Sequence, residues 1–373
     1  MKRRSYLGVV ACGVVAGCLG DGETVEGDRE TGDDARGGDE VRDPDAGFDQ
    51  RWRAQLDADP PNMSVDVALG VDALFVGHSG GLTALDLRDG EQRWRREEWG
   101  EYADVYADHR GVLALTYDGT LIELDPDTGD EDWRTSVEGS EENIFWRAGA
   151  TAQSVLVSTD AETTLYNREN GDAVRKFDVP QGDVVTAADV AVLVLAFEAI
   201  GVDPETGTER WQTETRISRD GTIGNGVLVA VETGDLEEGT VAALDVEDGD
   251  PLWEVDIDHP GTGFVDVAIT DGVATLITGE DGEWYTLSAF DVEDGSELWT
   301  ADLGRFRSPF RPPAVDDGVV ITETEDDIRA FDAATGETLA TTDRPFSIRA
   351  ALAGEGLFFE WASDEVVAYD LFL

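Results

Sequence analysis

Three histidines, two cysteines and 82 carboxylates are the groups with which this chain of 373 residues could do chemistry. His78, His109 and His259 each stand beside turn residues. None has a second His or a Cys at metal-ligand spacing, so they read as surface turn residues. The run from Asp125 to Asp130 begins like a calcium loop, but its twelfth place falls on Ser136 rather than a bidentate Glu. No Gly-x-Ser-x-Gly elbow and no P-loop is present. Both cysteines, Cys12 and Cys18, precede residue 19, leaving no thiol for a nucleophile or a disulfide beyond it. Among 82 acids, no single carboxylate stands out as a general acid or base.

What would position any such groups is a repeat. The pattern Ala-x-Asp-x-x-x-Gly-x-x-x-Trp runs from Ala84 through Asp86 and Gly90 to Trp94. It returns about every 40 residues, over Glu123–Trp133, Gly201–Trp211, Ala243–Trp253 and Ala289–Trp299. Weaker copies run from Leu165 through Asn167 to Gly171 and from Ala330 through Asp332 to Gly336, and a fragment, Ala368 to Asp370, comes last. A fixed period of this length means a propeller or a solenoid. Between motifs lie short apolar runs, such as Gly111–Tyr117 and Thr120–Asp125, joined by Asp118-Gly119. Asp-Gly between such runs signals a hairpin, because Gly accepts positive φ. The motif is a second turn, with Asp able to bond its own backbone and Gly at the left-handed position. Each unit reads as four antiparallel strands, one blade.

The Asp or Asn positions 86, 125, 167, 203, 245, 291, 332 and 370 count eight blades. The last unit has no Gly or Trp of its own. The segment Phe48 to Leu56, carrying Trp52, is expected to supply its outer strand and close the ring, which removes exposed edges. The expected fold is all-β, an eight-bladed β-propeller of four-stranded antiparallel blades. Seven blades, with the Asn167 unit skipped, and an open array are the other counts.

The motif resembles the tryptophan-docking repeat of the pyrroloquinoline-quinone-type (PQQ-like) β-propellers, over roughly residues 48–373. The resemblance implies that each Trp packs over the Ala and Gly of a neighbouring blade's motif. The docking residues are then Trp52, Trp94, Trp133, Trp211, Trp253 and Trp299, with Gly90, Gly129, Gly207, Gly249 and Gly295. Arg175 and Ala340 replace Trp in two units, so those junctions are expected to be weaker. Quinoprotein alcohol dehydrogenases of this superfamily carry a vicinal Cys pair and long insertions between blades. This chain has neither, so no quinone and no other cofactor or metal is expected.

Formal charge is −55, and only Lys2 and Lys176 are lysines. Such a charge normally argues for disorder, but 41% hydrophobic content and regular strand periodicity argue for a core. The two agree if the acids coat a protein living in molar salt, where the Debye length is about 3 Å. The composition resembles a haloarchaeal type, and nucleic acid is not an expected partner. At the N-terminus, Arg3 and Arg4 precede an apolar run too short to span a bilayer. They resemble a twin-arginine export signal. Val15 to Cys18 resembles a lipobox, with Cys18 the lipidated residue. The expected organisation is a lipoprotein signal peptide over residues 1–17, an acidic flexible tether over 18–47 and the propeller over 48–373.

One constellation is not inter-blade packing. Seven residues before the start of the second strand of successive units lie Asp104, Arg147, Val184, Arg219, Val265, Arg311 and Arg349. Four of seven are Arg, and Phe306 and Phe310 accompany them in the segment leading to Arg311. Arg and aromatic residues are what binding hot spots use. Arg147, Arg219, Arg311, Arg349, Phe306 and Phe310 are therefore the candidate partner rim, with local charge balance as the other reading. The sequence as a whole reads as a monomeric, non-catalytic propeller on the outer face of the cytoplasmic membrane. It is held there through Cys18 and docks an unidentified protein partner. The alternatives are a solute- or sugar-binding lipoprotein and a small quinoprotein dehydrogenase.

Overall fold

Apolar runs of four to eight residues between turn signals become strands buried on both sides. A computed structural model describes residues 48–371 other than the segments 57–65, 79–80, 98–101, 138–146, 180–182, 187–189, 196–197, 216–220, 234–237, 259–266, 280–283, 306–312, 344–349 and 363–364 and residues 117 and 160. The first strand is β1 (Phe48–Gln55). Blade 1 is β2 (Asp66–Leu69), β3 (Ala73–His78), β4 (Gly81–Asp86) and β5 (Gln92–Arg96). Blade 2 is β6 (Tyr102–Ala107), β7 (Val112–Thr116), β8 (Thr120–Leu124) and β9 (Glu131–Ser136). Blade 3 is β10 (Arg147–Ala150), β11 (Ser154–Ser158), β12 (Thr163–Asn167) and β13 (Ala173–Phe177). Blade 4 is β14 (Asp183–Thr186), β15 (Ala191–Val194), β16 (Glu198–Val202) and β17 (Glu209–Glu214). Blade 5 is β18 (Gly221–Gly224), β19 (Val227–Thr233), β20 (Glu238–Asp245) and β21 (Pro251–Asp258). Blade 6 is β22 (Val267–Thr270), β23 (Val273–Gly279), β24 (Trp284–Asp291) and β25 (Glu297–Arg305). Blade 7 is β26 (Ala314–Asp316), β27 (Val319–Glu323), β28 (Asp327–Asp332) and β29 (Thr338–Asp343). Blade 8 is β30 (Ala350–Gly354), β31 (Leu357–Ala362) and β32 (Glu365–Leu371), completed by β1.

The fold is thus an eight-bladed propeller of four-stranded antiparallel sheets. The unit around Asn167 is a full blade, so the counts of seven and of an open array are excluded. The ring closes where β1 pairs β32, from Phe48 opposite Leu371 to Gln55 opposite Glu365. Arg51 and Arg53 reach Asp370 at 2.5 Å and Glu365 at 2.8 Å across that ladder.

Among the described residues the core is divided between the blades. The buried side chains fall into eight clusters, each shared by two adjacent blades. In β3, Leu74 and Val76 pack toward blade 8, while Ala73 and Phe75 pack toward blade 2. Alternation along a strand sends successive side chains to opposite faces. With a blade on each side, every residue of β3 is buried. Stability therefore resides in seams between blades.

Candidate docking seams and partner-binding face

The seams are built by the motif turn. Asp125 accepts the N–H groups of Asp127 and Thr128 at 3.0 and 2.8 Å, and the Gly129 N–H closes the turn on the Asp125 carbonyl at 2.8 Å. These backbone and hydroxyl donors from Thr128 hold the Asp125 carboxyl below its ordinary value. Asp332 is lowered in the same way by the hydroxyl and N–H of Thr335. For Asp86 and Asp203 the largest cause is the guanidinium hydrogen bond, from Arg88 and Arg210 respectively. The turn carboxylates are therefore occupied in holding the backbone.

After each turn the outer strand carries a bulge at the residue before the Trp position. The ladder shifts between Ala84 and Leu85 in blade 1, at the matching place in blades 2 to 7, and between Gln50 and Trp52 in β1. A bulge bends the strand and re-aims the following side chain. Val174, Leu252 and Leu298 are the displaced residues in three blades, and all are exposed. They lie on blades 3, 5 and 6.

The re-aimed indoles cross to the next blade. The Nε1–H groups of Trp52, Trp94, Trp133, Trp211, Trp253 and Trp299 donate to the carbonyls of Leu87, Pro126, Arg168, Val246, Val292 and Ala333 at 2.7–2.9 Å. Their rings lie on Gly90, Gly129, Gly171, Gly249, Gly295 and Gly336. At Gly129, with φ +67°, an added Cβ would fall 2.6 Å from the Trp94 ring. The Gly contact comes from the next blade, whereas the motif's Ala position lies across the ladder from its own Trp, as in Ala84–Trp94.

Two seams lack an indole. Over Gly207 lies the stem of Arg175, its Cδ 2.9 Å from a built Cβ, with its guanidinium over Phe177. Such stems cover apolar surface while the charge stays in solvent. At Ala340 the space is filled from the far end of the chain: Phe48 packs with Phe358 and Tyr369 at 5.7 and 6.4 Å and shares the cluster with Ala340.

Antiparallel alternation sorts the connections between two ends of the ring. The motif turns and the hairpins from first to second strand emerge at one end. Each outer strand finishes, and the next inner strand begins, at the other. In chain order Arg219 falls between β17 and β18, Phe306, Phe310 and Arg311 between β25 and β26, and Arg349 just before β30. Those five lie outside the described residues, as do Arg3, Arg4, Cys18 and His259. Arg147 opens β10 opposite Ser158, the fifth residue counted from Ser154, which pairs Asn167. In blade 8 the fifth residue from Leu357, which pairs Asp370, is Trp361, and it faces Ala350. The residue at the place of Arg147 in blade 8 is thus Ala350, one after Arg349 in the chain.

Two further observations were not legible in the sequence. His78 is fully buried, its Nε2 2.9 Å from Thr83 Oγ1, which corrects its reading as a surface turn residue. His109 is exposed. Tyr369 donates to Glu360 at 2.6 Å, and burial raises the Glu360 carboxyl and the Tyr369 phenol. Among the described residues no three His, Cys, Asp or Glu side chains group so as to hold a metal ion.

A family model described as outer membrane protein assembly factor BamB matches residues 39–221 and again 196–350. The outer membrane protein assembly factor BamB of Burkholderia pseudomallei (strain K96243) is 27% identical over 228 residues, which is 55% of this chain and 58% of that protein. The matched part is thus less than two thirds of that relative's length. Among solved structures, BamB from Moraxella catarrhalis aligns with TM-score 0.65 at 15% identity, over 87% of this chain and 100% of that one. The computationally designed Ika8 protein aligns with TM-score 0.68 at 17% identity, over 87% and 100%. Quinohemoprotein alcohol dehydrogenase from Comamonas testosteroni aligns with TM-score 0.61 at 12% identity, over 87% and 76%. At these identities the structures share the fold alone.

Proposed function

This chain belongs to the PQQ-like family described as outer membrane protein assembly factor BamB, and we propose that it is a non-catalytic propeller that presents a face to a protein partner at the cell envelope. The observation that carries this is topological. The outer strands finish and the next inner strands begin at one end of the ring, and in chain order Arg219, Phe306, Phe310, Arg311 and Arg349 lie between such strands while Arg147 opens one. Loops on a rigid scaffold are where binding residues concentrate. Arg147, Arg219, Arg311 and Arg349, with Phe306 and Phe310, are the proposed contact set. The lipobox resemblance at Cys18 supports a lipid anchor, the Arg3-Arg4 pair supports twin-arginine export, and the two together support an extracytoplasmic site. The acidic tether would let the ring reach a partner away from the lipid. The acidic composition supports a high-salt habitat of haloarchaeal type.

The likeness to a quinohemoprotein dehydrogenase makes quinone binding the reading to test against. Adding pyrroloquinoline quinone with calcium in multimolar KCl is expected to leave Tm unchanged within 1 °C or so, since a ligand at 100 times its Kd would stabilise by about 2.7 kcal/mol. A clear rise in Tm, together with quinone-dependent reduction of a dye by an alcohol, would overturn the non-catalytic reading.

A further inference from the structure

Two adjacent blades depart from the repeat at positions that face each other. The motif's Ala position is Ala or Gly in six blades and Leu in blade 3, but Glu123 in blade 2. The residue after the motif's Asp or Asn is Leu, Pro, Val or Ala in seven blades, but Arg168 in blade 3. Both side chains are buried, and Arg168 is 1% exposed. They meet across the seam, with Arg168 Nε donating to both Glu123 oxygens at 3.2 and 3.3 Å. The other two guanidinium nitrogens donate to Asp108 at 2.6 and 2.8 Å, and Nη1 also donates to the Thr151 carbonyl at 3.0 Å. Gly111 leaves room for the acid, since a Cβ there would sit 2.6 Å from Glu123 Oε1.

The groups facing Glu123 come from every neighbouring element. Arg168 follows β12. Asp108 and Arg110 lie in the turn after β6, with Arg110 bonded to the Ala152 carbonyl of blade 3. The ring of Tyr106 in β6 lies under the Arg168 guanidinium, 5.6 Å from centroid to Cζ. Trp133 is the cross-strand neighbour, and its indole donates to the Arg168 carbonyl. One buried guanidinium is thus shared between two carboxylates, and it favours Asp108.

We propose that Glu123, Arg168 and Asp108 form a proton-operated latch on the seam between the second and third blades, tight while Glu123 carries a proton and loosened when it ionises. With Glu123 neutral, the buried group is one cation and one anion. With Glu123 ionised it gains a net negative charge away from water, which is costly. Burial pushes the Glu123 carboxyl up to about 7, against the pull of Arg168 and with the help of the Asp108 charge. For Asp108 burial acts in the same sense, but the Arg168 hydrogen bonds and charge outweigh it and hold the carboxyl below its ordinary value. A folded value raised above the ordinary 4.5 means that Glu123 contributes most below that pH and loses the contribution as pH rises through about 7. A small cleft on the same seam is lined by Asp104, Tyr106, Leu113, Leu121, Gly149 and Val155.

The test is hydrogen exchange of the full chain in multimolar KCl at pH 6 and pH 8, corrected for intrinsic rates. Peptides covering β8 and β12 are expected to lose protection on the order of tenfold at the higher pH. Peptides from blades 5 and 6 should not change. In Glu123→Gln, which keeps shape without the titration, the same peptides should be equally protected at both pH values. Glu123→Ala, which restores the residue used in most other blades, should also be insensitive to pH, whatever its overall stability. The latch is overturned if the parent's β8 and β12 peptides are indifferent to pH, or if either variant retains the parent's dependence.

Discussion

A chain lacking residues 48–56 is expected not to close into a stable ring. β1 acts on three blades at once. It is the outer strand of blade 8, it sends Phe48 into the seam with blade 7, and it sends Trp52 into the seam with blade 1. Phe48 and Trp52 are 7% and 6% exposed, so both are core residues despite their place near the start of the ring. Truncating either to Ala is expected to cost about 3–5 kcal/mol, the usual range for a buried Phe or Trp. The ion pairs of Arg51 and Arg53 are partly exposed and should add about 0–1 kcal/mol each. Removing the segment takes away both rings and the ladder, and leaves β32 as an unpaired edge. Thermal melts at fixed KCl should show loss of the cooperative transition, and a synthetic peptide of residues 48–56 should restore it by strand addition. A truncated chain that melts like the parent would mean that closure lies elsewhere.

Lowering salt is the second large effect expected. The chain carries 82 acids against 27 Lys and Arg. Most described acids lie at the surface, while Arg side chains are spent on motif carboxylates, as with Arg88 and Arg93 on Asp86 and Arg210 on Asp203. Going from 1 M to 0.1 M KCl lengthens the Debye length from about 3 to about 10 Å, so carboxylates on neighbouring blades begin to repel. If that repulsion costs about 5 kcal/mol, Tm should fall by roughly 10–20 °C, at a few degrees per kcal/mol for a large domain. A Tm indifferent to KCl over this range would contradict the high-salt reading of the composition.

The repeat made the fold legible because period, turn residues and Trp spacing all agreed. Blade number and the closing strand follow from counting Asp86 to Asp370 and noting the unit that lacks an outer strand. The bulge before each Trp was hidden, because an extra residue in a ladder leaves no mark in a single strand's composition. The split of the docking pocket, Ala from the Trp's own blade and Gly from the next, depends on that bulge. Ala340 suggested a weak junction because the aromatic that fills its seam, Phe48, lies almost 300 residues away in the chain. His78 looked like a turn residue because Ser79-Gly80 follows it, yet it ends β3, where both faces are covered. Glu123 and Arg168 were visible as departures from the motif, but only the blade-to-blade register shows that they meet. The Arg rim depends on where each strand starts, which one sequence leaves open by a residue, as Arg147 and Ala350 show.

We propose that this propeller works by binding a protein through the end of the ring where its inner strands begin. The most direct test is capture of partners by the tagged full chain from detergent-solubilised membranes in multimolar KCl. The capture is run beside a variant with Arg147, Arg219, Arg311 and Arg349 all changed to Gln. A protein recovered in stoichiometric amount with the parent and lost with the equally folded variant is the predicted result. Capture of no protein by the parent, with a small molecule copurifying in its place, would contradict the claim.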